Sequence, residues 1–424
     1  MKRRVFLGGL SGIAGVYSAQ AAPSDTVTVA MMGVRGRGRA LAEQFAGLPD
    51  VRIACLCDVD ERVFARAAKI VEEKKGAAPR MVADIRRVLD DKSIDAVVIA
   101  TPDHWHGPGT ILACDAGKDV YVEKPASHNL REGRLMVEAA RRNRRIVQLG
   151  TQGRSRETSA QAAAIVQSGR LGKVLMAKAW NVQLRDDIGH KADSPVPAGV
   201  DYETWVGPAP ALAFNENRFH YNWHWNWNYG TGDIGNDGVH QIDLARWVLG
   251  VEAPVKVSGM GKRLYFKDDQ QTPDTMNLAY EYPNGKLLQF EMRIWNPYEM
   301  AGQSNGVALY GSDGMLEVGR WPKKWGVRVF DAKGKMVEEL AEASGDGPHA
   351  RNFIDCVKSR KAPAAEIGIG HVSSLHAHLG NIVARTGRAV AFDPQTETIA
   401  GDEEASRLLG RQYRKHWSVP RGAS

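Results

Sequence analysis

Cysteine is scarce: four residues, at positions 55, 57, 114 and 356, in a chain of 424. So few thiols in so long a chain exclude a disulfide-stapled scaffold, and no histidine pair completes a zinc set around Cys55 and Cys57, which alternate along one apolar stretch as core thiols do. Beyond the N-terminus no run approaches the roughly 20 apolar residues that a membrane helix needs, so no stable membrane association is expected of the mature body. There is no fixed-period repeat. A nucleic-acid partner is not expected either. The formal charge is only +7, the basic residues are dispersed, and the run from Arg141 to Arg145 reads as a charged helix face.

What is present is a globular composition, 43 % hydrophobic and 25 % charged, at a length that calls for two or more domains. The chain starts with Lys2, Arg3 and Arg4, continues through an apolar, glycine-rich stretch to Tyr17, and offers Ala19-Gln20-Ala21 as a cleavage site. This reads as an export signal over residues 1–21, and the arginine pair before Val5-Phe6-Leu7 resembles a twin-arginine signal, which implies a periplasmic or otherwise exported protein. Its removal would leave about 403 residues with a balance of about +4.

From Val27 onward short apolar strands alternate with helices. Strands are expected at 27–32, 51–57, 94–100, 119–122 and 145–150, and helices from about 40 and at 60–75, 82–91, 107–116 and 129–143. The strands have no polar face, which calls for a parallel sheet covered on both sides. A dinucleotide-binding domain is therefore expected over 22–150. Residues 151–424 read as an α+β substrate domain with a large, mostly antiparallel sheet, strands crowding 255–315. Its helices 349–359 and 371–385 return toward the first domain. The proline- and glycine-rich segment 188–212 reads as a loop set.

The turn Gly33-Val34-Arg35-Gly36-Arg37-Gly38 follows a strand and opens a helix, where backbone amides meet a pyrophosphate. Gly33 and Gly38 match the outer glycines of G-x-G-x-x-G, while Arg35 replaces the central one. Asp58, 20 residues after Gly38 at a strand end, suits the ribose hydroxyls of NAD and would repel a 2′-phosphate. Arg35, Arg37 and Arg39 keep NADP open.

Thr101-Pro102-Asp103-His104-Trp105-His106 and Glu123-Lys124-Pro125 each follow a strand of that sheet. With the glycine turn they resemble the Gfo/Idh/MocA oxidoreductase family over nearly the whole mature chain. The resemblance implies a Rossmann-like domain, a substrate domain, a nicotinamide cofactor meeting a carbohydrate between them, and a homo-oligomer. It implies Thr101, Pro102, His104, His106, Glu123 and Lys124 at the nucleotide, and Lys124 as the leading catalytic residue, able to hydrogen-bond or deprotonate a hydroxyl.

At the substrate end, Trp223 and Trp225 offer indole faces for sugar rings, and Asp233, Asn236, Asp237 and His240 offer hydroxyl partners. In a helix from about Gly235, Asn236, His240 and Asp243 would share a face. Family dehydrogenases carry an acid four residues before this histidine; here Asn236 stands instead and cannot act as one. Lys124 and His240 are thus the expected catalytic pair. Arg185, Asp186, Asp187 and His190 read as locally salt-bridged, and His371, His376 and His378 as the lining of a packed helix, with no metal expected. The expected activity is NAD(P)-dependent oxidation of a secondary hydroxyl of a sugar or polyol. The alternatives are a glycosidase or lyase working through transient oxidation, and a noncatalytic carbohydrate-binding protein.

Overall fold

The computed structural model describes residues 26–321, 324–343, 345 and 347–423. The expected export signal lies outside the described residues.

Six strands, β1 (Val27–Met32), β2 (Val51–Cys57), β3 (Arg80–Val82), β4 (Ala96–Ile99), β5 (Asp119–Val122) and β6 (Val147–Leu149), form a sheet in the order β3-β2-β1-β4-β5-β6. Every pairing is parallel, as the unbroken apolar runs require. The helices between them are α1 (Gly36–Ala46), α2 (Phe64–Lys75), α3 (Arg86–Leu89), α4 (Asp103–Asp115) and α5 (Leu130–Arg142). The helix expected over 82–91 shrinks to the four residues of α3, because Arg80 to Val82 instead pair with β2 as the sheet's edge. α5 starts where the Asn129 side chain accepts a hydrogen bond from the Glu132 amide at 3.0 Å.

Register decides where the site falls. Cys57, Met32, Ile99, Val122 and Leu149 are successive partners across five strands, so the C-terminal ends of β2, β1, β4, β5 and β6 finish level. The residues that follow them, Asp58, Gly33, Thr101, Glu123 with Lys124, and Gly150, therefore emerge along one edge. The order reverses between β1 and β4, where such sheets open their binding crevice.

The second sheet has nine strands: β7 (Val174–Val182), β8 (Lys256–Lys262), β9 (Thr275–Glu281), β10 (Leu287–Arg293), β11 (Asn305–Gly311), β12 (Gly314–Trp321), β13 (Lys324–Asp331), β14 (Met336–Ala343) and β15 (Val390–Ala391). All its pairings are antiparallel except β7 with β10. Strands thus continue past 315 to Ala343. One face carries α6 (Glu157–Gln167), α8 (Val239–Leu249) and α10 (Ile367–Thr386); a short helix α7 (Tyr202–Val206) lies in the loop set. α9 (Gly347–Ser359) packs on α1 and β1, and α10 reaches α5 and β6.

The loop set is a strap across the first sheet. Asp201 donates its amide to the Val59 carbonyl and Glu61 donates to Gly199, both at 2.8 Å, pinning the strap beside the end of β2. Farther along, His104 Nε2 and Trp105 Nε1 both donate to the Trp205 carbonyl, at 2.8 and 2.9 Å. Residues 411–414 fasten it from outside. Arg411 pairs with buried Glu132 at 2.8 Å and Arg414 donates to the carbonyls of Gly207 and Glu203.

Candidate active site

A cleft of about 360 Å³ runs between the level strand ends and the strap. At one end lie Gly33, Arg35, Gly36, Asp58 and Asp60, with Val63, Ala83 and Ile85 as an apolar wall. Along its length come Thr101, Pro102 and His106, and at the inner end Glu123, Lys124 and Asn236. Trp205 from the strap and Phe219, His220, Tyr221, Trp223 and His224 from the segment that follows it roof the cleft.

The glycine turn is shaped for close approach. A Cβ on Gly38 would lie 1.8 Å from the Gly33 carbonyl oxygen, so only glycine lets α1 pack against the end of β1. Gly36, at φ +34, has nothing within 4 Å of its missing Cβ, and the N-cap residue Arg35 caps no amide with its side chain. The first amides of α1 thus face open space, as a pyrophosphate requires. Asp58 Oδ2 accepts from the Val34 amide at 2.8 Å and Oδ1 from Asp60 at 3.0 Å. Burial pushes its carboxyl above the usual range, against those two amides. A dinucleotide fits this end of the cleft. Arg37, expected at the nucleotide, turns inward: its Nε donates to Glu123 Oε1 at 2.7 Å.

His106 locks the two Pro-containing motifs together. Its Nδ1 lies 2.6 Å from the Pro125 carbonyl and its Nε2 2.9 Å from that of Thr101. His104 departs from the expected role. It is fully buried among the Trp205 and Tyr229 rings, holds the strap through the Trp205 carbonyl, and does not line the cleft.

Lys124 is where the two halves meet. Its Nζ donates to the Asn236 carbonyl oxygen at 2.6 Å and to Asn236 Oδ1 at 3.0 Å, 112 residues away in sequence. Burial would raise the adjacent Glu123 carboxyl, but the cations of Arg37 and Lys124 hold it below the usual range. His240, half-buried, is pushed down to about 4 by burial and then by the Lys124 charge, with Asp237 and Glu123 opposing. It makes no hydrogen bond among the described residues.

The helix expected from Gly235 is broken in register. Residues Ile234–Gly238 form a π-turn and α8 begins at Val239, so an extra residue is fitted in next to the site. Asp233, Asn236 and Asp237 all turn toward the cluster. Asp243 does not: it is bound by Arg154 at 2.9 Å and by Ser373, away from Lys124.

Asn181, Gln183 and Arg185 complete the arrangement; the first two escaped attention in the sequence, and Arg185 was read as salt-bridged within its loop. β7 continues past Val182 through backbone bonds of Gln183 to Arg293 and of Arg185 to Ile294. Alternate residues of an extended strand face one way. Asn181 donates to Asp233 Oδ2 at 2.6 Å, Gln183 to Asp237, and Arg185 Nη2 to Asp233 Oδ1 at 3.0 Å and Asp237 Oδ2 at 2.5 Å. Arg185 is thus a site residue rather than a partner of its loop neighbours. The period-two spacing of these three polar residues was the available signal.

The two tryptophans separate. Trp223 is half-buried, stacks on His224 at 3.6 Å and lines the cleft, whereas Trp225 is 3 % exposed and belongs to the core of the second sheet. Among the described residues no group of three or more His, Cys, Asp or Glu side chains is placed to hold a metal. His371 pairs with Glu397 and His376 with Tyr282.

Three family profiles match the chain: "Oxidoreductase family, NAD-binding Rossmann fold" over residues 27–151, "GFO/IDH/MocA C-terminal domain" over 209–317, and "Oxidoreductase family, C-terminal alpha/beta domain" over 327–419. The chain is 25 % identical over 324 residues to scyllo-inositol 2-dehydrogenase (NAD(+)) of Bacillus subtilis, a match covering 74 % of this chain and 81 % of that protein. It is 28 % identical over 178 residues to alpha-N-acetylgalactosaminidase of Shewanella oneidensis, covering 40 % of this chain but only 39 % of that protein. A solved levoglucosan dehydrogenase, in complex with NADH and levoglucosan, shares the fold with a TM-score of 0.66 and 17 % identity, covering 86 % of this chain and 99 % of that one. With the level strand ends, the glycine turn and the Lys124 junction in place, the chain belongs to the Gfo/Idh/MocA family of oxidoreductases.

Proposed function

We propose that the protein oxidises a secondary hydroxyl of a sugar, polyol or sugar derivative, with NAD as hydride acceptor. The observation that carries this reading is the position of Lys124, at the inner end of the nucleotide cleft and held by Asn236 from the substrate side. Two of the three N–H bonds of an ammonium are used on Asn236, which leaves one for a substrate oxygen. His240, neutral at rest, receives the hydroxyl proton. Trp223 offers a ring face and Asp237 an acceptor for other hydroxyls. A bound nicotinamide supplies the hydride acceptor. Nicotinamide reduction measured with a panel of sugars and polyols tests the reading; an inactive wild type, or unchanged turnover in Lys124→Ala, would count against it.

NAD over NADP is supported by Asp58 at the end of β2 and by the commitment of nearby cations elsewhere: Arg37 to Glu123 and Arg62 to Asp60. Titration of the protein with each dinucleotide checks this. Export by the twin-arginine route to the periplasm is supported by the Arg3-Arg4 start alone; fractionation of cells expressing the chain tests it. A homo-oligomer is supported by exposed Met260, Leu287 and Tyr310 on the sheet face turned away from the helices, and light scattering reads the mass. The domain division at residue 150 is supported by the end of β6 at Leu149.

A second reading, bond cleavage through transient oxidation, is supported by the partial match to a glycosidase. Cleaved glycoside without accumulated reduced nicotinamide would favour it.

A further inference from the structure

The asparagine at the position where family dehydrogenases carry an acid raises the question of what replaces the acid. Asn236 is fully engaged. Its carbonyl and Oδ1 both accept from Lys124, and its Nδ2 donates to Asp233 Oδ1 at 3.1 Å. A carboxylate on one side and an ammonium on the other fix which end of the amide is oxygen. Asn236 is thus a holder of the lysine.

Its neighbour is built differently. Asp237 Oδ2 takes both hydrogen bonds, from Gln183 and Arg185, while Oδ1 makes none among the described residues. The Asp237 side chain is 27 % exposed, against 0 % for Asp233, which is enclosed by Asn181, Arg185 and Asn236. The π-turn that supplies the extra residue is the turn that bears it. Arg185 is itself braced, donating to the Tyr221 hydroxyl at 2.8 Å on the cleft roof.

Resting on the oxidoreductase reading above, we infer that Asp237 is the positioning carboxylate of the site, standing in for the missing acid one residue along the π-turn, aligned by Gln183 and Arg185 against His240 and Lys124. The proton affinity of His240 is lowered first by burial and then adjusted by the charges around it, the cations Lys124 and Arg37 lowering it and the anions Asp237 and Glu123 raising it. Asp237, whose carboxylate is held ionised by Lys124 and Arg185 against burial, is one of the two anions in that balance. Removing its charge tips the balance toward the cations, and His240 should bind a proton more weakly.

The test is Asp237→Asn, which keeps size and shape, compared with wild type in the full-length protein. Imidazole titration by NMR, with the His240 resonance identified by its loss in His240→Gln, needs no substrate. In Asp237→Asn the proton affinity of His240 should fall about tenfold, the size expected for losing one nearby opposite charge. With an active sugar, kcat should fall about 100-fold while KM changes less, and the acid limb of the pH profile should move to lower pH. An unmoved His240 titration in a folded Asp237→Asn protein overturns the inference, even if the wild type oxidises sugars. A moved titration in a wild type inactive on every sugar supports the positioning role and sinks the assigned reaction instead.

Discussion

His106 and Pro125 are joined by a contact of 2.6 Å between the imidazole Nδ1 and the carbonyl oxygen. Through it the turn after β4 is tied to the turn after β5, and the two turns together set the floor beneath Lys124. The neutral imidazole donates to one of the two carbonyls, of Pro125 or Thr101, and replacing His106 by alanine leaves that carbonyl without its donor, at a cost of about 1–3 kcal/mol for a buried unsatisfied group. Thermal unfolding should show a lower Tm, and nucleotide affinity should fall with it. A variant that melts like wild type and binds nucleotide equally well would remove His106 from this role.

The glycine turn predicts a contrast. Gly38→Ala places a methyl 1.8 Å from the Gly33 carbonyl oxygen and should abolish nucleotide binding or folding outright. Gly36→Ala meets no atom within 4 Å; its cost is the positive φ, about 1–2 kcal/mol for a left-handed residue. Yield, circular dichroism and nucleotide titration of the pair separate the two effects.

Trp223 and Trp225 should respond in opposite ways. Trp223→Ala removes a cleft-lining ring and should raise KM about 10-fold or more, with little change in Tm. Trp225→Ala empties a core site and should destabilise by about 3–5 kcal/mol. Unfolding curves beside kinetics decide the matter, and equal effects in both would contradict the assignment.

Acid should destabilise the fold early. Burial presses His104, His224, His376 and His378 down to about 3, and His220 and His240 to about 4, from an ordinary value of 6.5. Between those values the unfolded chain binds protons that the folded chain does not, so stability is full above pH 6.5 and falls as pH drops toward 4. Asp103, raised to about 7 by burial, acts oppositely, with stability lost as pH rises toward 7, and Asp58 and Asp233 are raised in the same direction, but the six histidines outnumber them. Each uncompensated histidine contributes a slope of about 1.4 kcal/mol per pH unit within the window. Denaturant melts at pH 7, 6 and 5 should show midpoints falling in that order, and a flat series would refute the prediction.

The nucleotide half was largely legible because its signals are local. Strands without a polar face demand a covered parallel sheet, and motifs directly after them must sit on its C-terminal edge. Lys124 was readable for that reason. His104 and Trp225 were misplaced because an aromatic ring that packs a core carries the same composition as one that lines a sugar site. Arg185 was given loop neighbours as partners because its actual ones, Asp233 and Asp237, stand 48 and 52 residues away. The π-turn leaves no mark on hydrophobic periodicity, so the helical reading put Asp243 on one face with Asn236 and His240, whereas the turn brings Asp237 to the cluster and leaves Asp243 with Arg154 and Ser373. The strands β13 and β14 went unread behind a boundary set near 315.

Among the described residues Arg411 and Arg414 follow every strand and every long helix, yet Arg414 holds Glu203 and Gly207 of the strap and Arg411 holds Glu132 of α5. The strap therefore receives its last fastening from the C-terminal end of the described chain, which adds to the bonds that Gly199, Asp201 and Trp205 already make beside the end of β2 and with α4.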